Sequence, residues 1–287
     1  MNTNQNERGR LTVRDIMVKD VAYVTVPGTR EDVLELFKEK FVSGVPVVKD
    51  SKVVGVVTRQ DLLRKPNEEQ VALLMTRDPL VITPETSLAD AAKVIRDRRI
   101  RRLPVVEGHK LIGLVTVADF IKAIATWDNR TPIAGLLRDK TLALWDEMPL
   151  NVAGRIMELA KVKAVPVLNA ELAIVGLITD QDLISAAMIE DHVDRSDLSL
   201  GSDESEWSLD GMRDHMTLYY SVSRIRMPKK LVKAVMVRDV VTATRNHGVS
   251  ACAKKMTEGR FDQLPVISAR GKLIGMLLDR DLLQILS

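Results

Sequence analysis

GVVTRQDLL, residues 55–63, reads as the end of a buried strand turning into a helix, with Thr58 placed to cap that helix and Asp61 three residues further on. The same shape returns as GLVTVADFI at 113–121, GLITDQDLI at 176–184 and GMLLDRDLL at 275–283, with the same Gly-to-Asp spacing each time. Only the last copy changes the threonine, to Leu278. Self-similarity of this kind separates a repeated scaffold from the positions that vary on it.

Repeats 1 and 2 align without a gap. A shift of 58 residues carries Met17 to Met75, Asp20 to Asp78, Thr25 to Thr83, Pro46 to Pro104, Gly55 to Gly113, Thr58 to Thr116 and Asp61 to Asp119. Repeat 3 keeps Pro166, Gly176, Thr179 and Asp182 but has no Met-x-x-Asp start, while repeat 4 keeps Met236, Thr244, Pro265, Gly275 and Asp281. Each unit predicts a short extended stretch, an amphipathic helix, two strands and a second helix. In repeat 2, Ser87 caps LADAAKVIRDRR, whose Leu88, Ala91, Ala92 and Ile95 share one face; LPVV and LIGLV follow as strands, and TVADFIKAIA as a helix. A unit this small has too little interior to be stable alone. The expectation is therefore an α+β protein in which repeats pair, 1 with 2 and 3 with 4. Its predicted divisions are a polar tail 1–10, repeats at 11–66, 67–127, 128–188 and 231–287, and an insert at 189–230. The insert opens as an acidic, Ser-rich linker and ends in a mixed stretch whose Trp207, Tyr219 and Tyr220 suggest packing onto the body.

Composition narrows the functional classes. Of 287 residues, 46% are apolar and 28% charged, which is ordinary for a globular chain able to bury a core. Lys and Arg number 42 against 39 Asp and Glu, so the net charge of +3 gives no global pull toward nucleic acid or membrane. No stretch approaches the roughly 20 apolar residues of a membrane span, and MNTNQNERGR lacks the apolar run of a signal peptide; the expected location is the cytoplasm. The single cysteine, Cys252, excludes an internal disulfide and reads as a small buried residue.

The repeated Met-x-x-Asp start, the hydrophobic-Pro-Val strand and the Gly-hydrophobic-x-Thr-x-x-Asp turn, in three full copies and one variant, resemble tandem CBS domains, named after cystathionine β-synthase, whose pairs form Bateman modules. The resemblance spans nearly the whole chain outside the tail and the insert. It implies four β-α-β-β-α repeats arranged as two modules, each with up to two clefts that take adenosyl ligands such as AMP, ADP, ATP or S-adenosylmethionine. Four repeats in one chain are similar to archaeal stand-alone CBS proteins and to the γ subunit of AMP-activated kinase. The resemblance thus implies a non-catalytic regulator or sensor that acts on a protein partner, with a homodimer compatible with the pattern; fold alone does not fix the function.

By residue chemistry alone, Thr-x-x-Asp is close to a capping box worth about 1 kcal/mol. Leu278 beside a retained Asp281 argues that capping is not its sole purpose. A helix N-terminus with free N–H groups suits phosphate, and a carboxylate can accept both hydroxyls of a ribose. The resemblance assigns the ribose to Asp61, Asp119, Asp182 and Asp281, and a ribose or phosphate contact to the hydroxyls of Thr58, Thr116 and Thr179. Just ahead of the proline strand the repeats carry Ser43-Gly44, Arg101-Arg102, Lys163-Ala164 and Asp262-Gln263. Arg101, Arg102 and Lys163 are accordingly the phosphate candidates, with a solvated basic face as the plainer alternative. Thr25, Thr83 and Thr244 are placed for the adenine side, against simple β-propensity. Asp262 and Leu278 speak against phosphate at repeat 4, leaving a site that is empty or suited to the positive groups of S-adenosylmethionine.

Two other classes compete. His109, His192, His215 and His247 show no metal-ligand spacing and stand beside no nucleophile, so neither a catalytic residue nor a metal is expected. KVIRDRRIRR (93–102) holds six basic residues, the basis for a nucleic-acid reading, but no interleaved aromatic. A purely structural scaffold is the remaining alternative.

Overall fold

Antiparallel hairpins built from the proline and glycine strands form the centre of every repeat. The computed structural model describes residues 11–40, 42–65, 68–137, 141–183, 186 and 229–286. The tail 1–10 and the insert up to residue 228, with Trp207, Tyr219, Tyr220, His192 and His215, lie outside the described residues.

Repeat 1 runs α1 (Val13–Ile16), β1 (Val24–Thr25), α2 (Arg30–Glu39), β2 (Gly44–Lys49), β3 (Lys52–Thr58) and α3 (Arg59–Arg64). Repeat 2 runs α4 (Val71–Leu74), β4 (Thr76–Arg77), α5 (Leu88–Asp97), β5 (Arg102–Glu107), β6 (Lys110–Thr116) and α6 (Val117–Thr126). Repeat 3 opens with a 3-10 turn at Ile133–Leu136 and continues as β7 (Leu144–Trp145), α7 (Leu150–Ala160), β8 (Ala164–Leu168), β9 (Ile174–Thr179) and a helical stretch at 180–183. Repeat 4 has a 3-10 turn at Val232–Ala234, β10 (Ala243–Thr244), α8 (Val249–Gly259), β11 (Gln263–Ile267), β12 (Leu273–Leu278), α9 (Asp279–Leu282) and a last 3-10 turn, Leu283–Leu286.

The 58-residue shift survives in hydrogen-bond register. Gly44 faces Thr58 and Val47 faces Gly55 across β2 and β3, as Arg102 faces Thr116 and Val105 faces Gly113 across β5 and β6. Even the irregularity recurs, between Val47 and Val48 and between Val105 and Val106. Ser87 caps α5, accepting the Asp90 N–H at 3.0 Å, and Leu88, Ala91, Ala92 and Ile95 are its buried face, as the sequence pattern requires.

Pairing goes deeper than sheet packing. The opening segment of each repeat docks on the first long helix of its partner through an isolated bridge: Thr12 with Ser87, Gln70 with Thr29, Pro132 with Gly248, Leu231 with Pro149. In each case the first N–H of that helix, which has no partner within its own helix, donates to the visiting segment. These bonds are Leu88 to the Leu11 carbonyl (3.2 Å), Arg30 to Glu69 (2.7 Å), Val249 to Thr131 (3.0 Å) and Leu150 to Lys230 (2.8 Å). The core of repeat 1 accordingly includes Val71 and Leu74, and that of repeat 3 includes Val232 and Met236.

Methionine from the opening segment completes the exchange. A Cβ on Gly113 would lie 2.6 Å from Met17 Sδ; on Gly55 it would collide with Met75, and on Gly176 with Met236. At these three of the four quoted turns the glycine leaves its bare Cα for the partner's thioether; repeat 3, which would serve Gly275, opens without that methionine.

The chain divides into two units, Met1–Pro132 with His247–Gln263 and Leu278–Ser287, and Ile133–Asn246 with Leu264–Leu277. Within the first, α6 packs against α8 and α9, and α5 against Leu283–Leu286. The two helices of repeat 4 therefore belong with repeats 1 and 2, while most of its sheet belongs with repeat 3.

Candidate functional site

The four Thr/Leu-x-x-Asp turns share one skeleton. The residue before each pair of strands lends its carbonyl to the first helical N–H: Ser43 to Arg59 (3.1 Å), Arg101 to Val117 (3.0 Å), Lys163 to Asp180 (2.9 Å) and Asp262 to Asp279 (2.8 Å). One oxygen of the aspartate then takes the N–H at the capping position, at 2.8 Å for Thr58–Asp61, 2.9 Å for Thr116–Asp119, 2.8 Å for Thr179–Asp182 and 3.0 Å for Leu278–Asp281. Where there is a threonine, its hydroxyl donates to the same oxygen, at 2.6 to 2.7 Å.

Two sequence expectations change in consequence. The helix starts do not offer a row of free N–H groups, because the first is bonded to the preceding carbonyl in every repeat. Leu278 does not argue against capping either: Asp281 holds the backbone N–H without any hydroxyl. The turn is a working cap in all four repeats, and binding has to be argued from what remains unengaged.

What remains differs between repeats. Asp119 and Asp281 are only 7% and 6% exposed, on helices that pack together in one unit, and Asp119 Oδ1 has Lys122 Nζ at 3.9 Å. Asp61 and Asp182 are half-buried, and the Oδ1 of each accepts nothing among the described residues.

A cation joins Asp61 from the neighbouring repeat. Arg102, at the start of β5, crosses to repeat 1, where its Nη2 donates to Ser43 Oγ at 3.0 Å. Its guanidinium lies over Gly44: a Cβ there would collide with Arg102 Nη1 and come within 2.9 Å of Thr58 Cγ2. Arg102 makes no ion pair among the described residues, and its pKa is lowered, chiefly by burial and then by Arg101, with Asp61 pulling the other way. A partly desolvated guanidinium without a counter-ion, beside a hydroxyl and an open carboxylate oxygen, is an arrangement that an anionic group bearing hydroxyls would complete.

The CBS domain model matches residues 13–68, 70–126, 133–189 and 232–287. The chain belongs to the CBS domain family. MJ1225 of Methanocaldococcus jannaschii is 30% identical over 191 residues, which cover 60% of this chain and 68% of that one. Its crystal structure, described as that of a candidate archaeal homolog of γ-AMPK, matches with a TM-score of 0.69 at 21% identity, over 96% of this chain and all of the other. An uncharacterized conserved protein of Pyrococcus horikoshii matches with a TM-score of 0.70 at 26% identity and the same coverage. The inosine-5'-monophosphate dehydrogenase of Korarchaeum cryptofilum is 37% identical over 105 residues, 36% of this chain but only 22% of the enzyme, so this chain spans about a fifth of that protein.

Within the CBS repeats the other predicted residues separate. Arg101 does not stand open: it is paired with Asp279. Lys163 is exposed, as are Thr25 and Thr83, whereas Thr244 is half-buried. In repeat 3 the place of these threonines is taken by Trp145, 49% exposed, on β7. The basic run 93–102 does not present a single face, since Arg101 and Arg102 turn to Asp279 and Ser43 while Lys93, Arg98 and Arg99 are exposed. Among the described residues no helix is long and apolar enough to cross a membrane, and no cluster of three or more His, Cys, Asp and Glu could hold a metal. Cys252 is fully buried, its thiol pushed up to about 11 by burial.

Sequence reading passed over Arg30, Ser250 and Asp279. Arg30 is 4% exposed and donates to the Leu62 carbonyl in the last turn of α3 and to the Lys65 and Glu68 carbonyls beyond it, at 3.3, 3.1 and 3.4 Å. The one available signal was its place after the Thr29 cap, where the other repeats have Leu88, Leu150 and Val249. Ser250 bonds the Ile124 carbonyl at 2.8 Å and the Asn129 N–H at 3.1 Å, tying α8 to the end of α6.

Proposed function

We propose that this CBS protein is a non-catalytic regulator whose principal ligand site takes an adenosyl compound bearing phosphate. The site is composite: Thr58 and Asp61 from repeat 1, with Arg102 from repeat 2. The observation that carries the reading is Arg102, a half-buried guanidinium with no carboxylate partner among the described residues, lying over Gly44 against the Thr58 side chain. Asp61 Oδ1 is available to accept from ribose hydroxyls, and Arg102 to hold a phosphate oxygen pair. Thr25, the exposed residue of the first strand of the same repeat, is assigned to the adenine side.

Thr179, Asp182 and Lys163 offer a second, more solvated version in repeat 3. Asp119 and Asp281, with Thr116, Arg101, Thr83 and Thr244, rank behind, because both carboxylates are buried between helices. A bound ligand alters how the paired repeats pack, and that change is read by a protein partner. A bare scaffold gives no use for an Arg102 that makes no ion pair among the described residues, and one arginine turned onto Ser43 and Gly44 is not the basic face that a nucleic-acid reader needs.

Calorimetric titration of the full chain with AMP, ATP and S-adenosylmethionine tests this. At least one adenosyl compound is expected to bind, with Asp61→Ala and Arg102→Gln each weakening it about tenfold or more and Asp281→Ala leaving the principal site within about twofold. If none of the three binds, the chain is a scaffold; hydrolysis of added nucleotide by the pure protein would overturn the non-catalytic assignment.

A further inference from the structure

Arg101 and Arg102 are neighbours in sequence, yet their guanidiniums part. Arg102 goes to Ser43 and Gly44, while Arg101 goes to Asp279 at the start of α9, Nη2 to Oδ2 at 2.6 Å and Nη1 to Oδ1 at 3.4 Å. Asp279 is built into the protein: its side chain is 6% exposed, and Oδ1 also accepts the Arg280 N–H at 2.7 Å. Asp262, whose carbonyl takes the Asp279 N–H, adds a negative charge felt by both members of the pair. On the other side Asp61 lies within electrostatic reach of Arg102.

Two guanidiniums therefore feel three carboxylates, and of the two only Arg102 is without an ion pair among the described residues. One cation can balance much of the charge of a single phosphate. Arg59, between Thr58 and Asp61, is solvent-exposed and therefore screened; every further phosphate meets the three carboxylates with only that exposed cation to set against them, and low-dielectric surroundings magnify the repulsion. The position that holds Asp279 in repeat 4 is Arg59, Val117 and Asp180 in the other repeats; the aspartate recurs in repeat 3, but Asp180 is exposed, whereas Asp279 is buried and paired with Arg101.

Resting on the site proposed above, we infer that Asp279, by engaging Arg101, is a specificity-determining residue that makes the repeat-1 site take adenosyl monophosphates in preference to triphosphates. It touches no ligand and acts through the charge it removes.

The test is calorimetry on the full chain with AMP and with magnesium-free ATP at fixed ionic strength. Wild type is expected to prefer AMP by about tenfold or more. Asp279→Asn should narrow that ratio at least about threefold by tightening ATP, with AMP changed less than about twofold. Asp262→Asn relieves charge without touching the pair and should move the ratio the same way, which keeps the test open if Asp279→Asn does not fold. The double variant Arg101→Gln/Asp279→Asn leaves the local charge as it was and should return the wild-type ratio. Equal wild-type affinities, an unmoved ratio in the single variants, or loss of AMP in the double variant would each overturn the inference, the last by showing that Arg101 grips phosphate itself. Failure of wild type to bind either nucleotide sinks the site reading instead.

Discussion

Gly44 is the smallest part of the candidate site and the one on which Arg102 depends. A methyl group there meets Arg102 Nη1 and Thr58 Cγ2, so Gly44→Ala must push the guanidinium aside. The variant is expected to weaken AMP about tenfold in calorimetry, while thermal unfolding shows a cost of no more than about 1–2 kcal/mol, because the far end of an arginine can move. Asp279 makes a second prediction. Burial raises its pKa and Arg101 offsets only part of that, so the folded state holds this proton to a higher pH than the unfolded chain does. Below the unfolded pKa, Asp279 is protonated in both states and resembles asparagine. As pH rises from there through the folded pKa, wild type loses stability relative to Asp279→Asn, and the difference then levels off. Paired urea titrations from pH 3.5 to 7 would check it; an advantage that shrinks with rising pH would refute it. Neither residue was legible in the sequence, since each matters through a side chain nearly 60 residues or more away.

At the scale of the element, the strand-to-helix turn is where sequence reading was most informative and also where it was corrected. The spacing revealed a cap, and the cap is present four times. The inference drawn from Leu278 failed because the aspartate, not the hydroxyl, carries the common bond to the backbone. It follows that Thr58→Val should cost the ligand-free protein less than about 1 kcal/mol, whereas Asp61→Ala, which removes both bonds, should cost about 1–2 kcal/mol. Thermal unfolding without ligand compares them directly. The amphipathic helices were equally legible: the stripe Leu88, Ala91, Ala92, Ile95 is the buried face of α5. Ser250 was not, because a serine on a helix carries no sign that its partners are the Ile124 carbonyl and the Asn129 N–H.

For the whole molecule, the number of repeats and their pairing could be read from periodicity, but the exchange of opening segments could not. Val71 and Leu74 look as suitable for the core of repeat 2 as for that of repeat 1, where they are found. Only the backbone path decides. A fragment ending at residue 66 therefore lacks part of its own interior and should show no cooperative unfolding. A fragment ending at residue 132 closes both exchanges and should unfold cooperatively, at lower temperature than the full chain because α6 loses α8 and α9. Circular dichroism melts of the two fragments distinguish these outcomes. The methionines set against Gly55, Gly113 and Gly176 also bear on how such a chain can change over generations. Deleting or duplicating a repeat that takes part in one of these three contacts leaves a socket without its methionine or a methionine without its socket, so the heritable unit is the couple. A descendant with an odd number of repeats would carry a vacant socket that the opening segment of another molecule could enter, joining two chains by the contact that now joins two repeats.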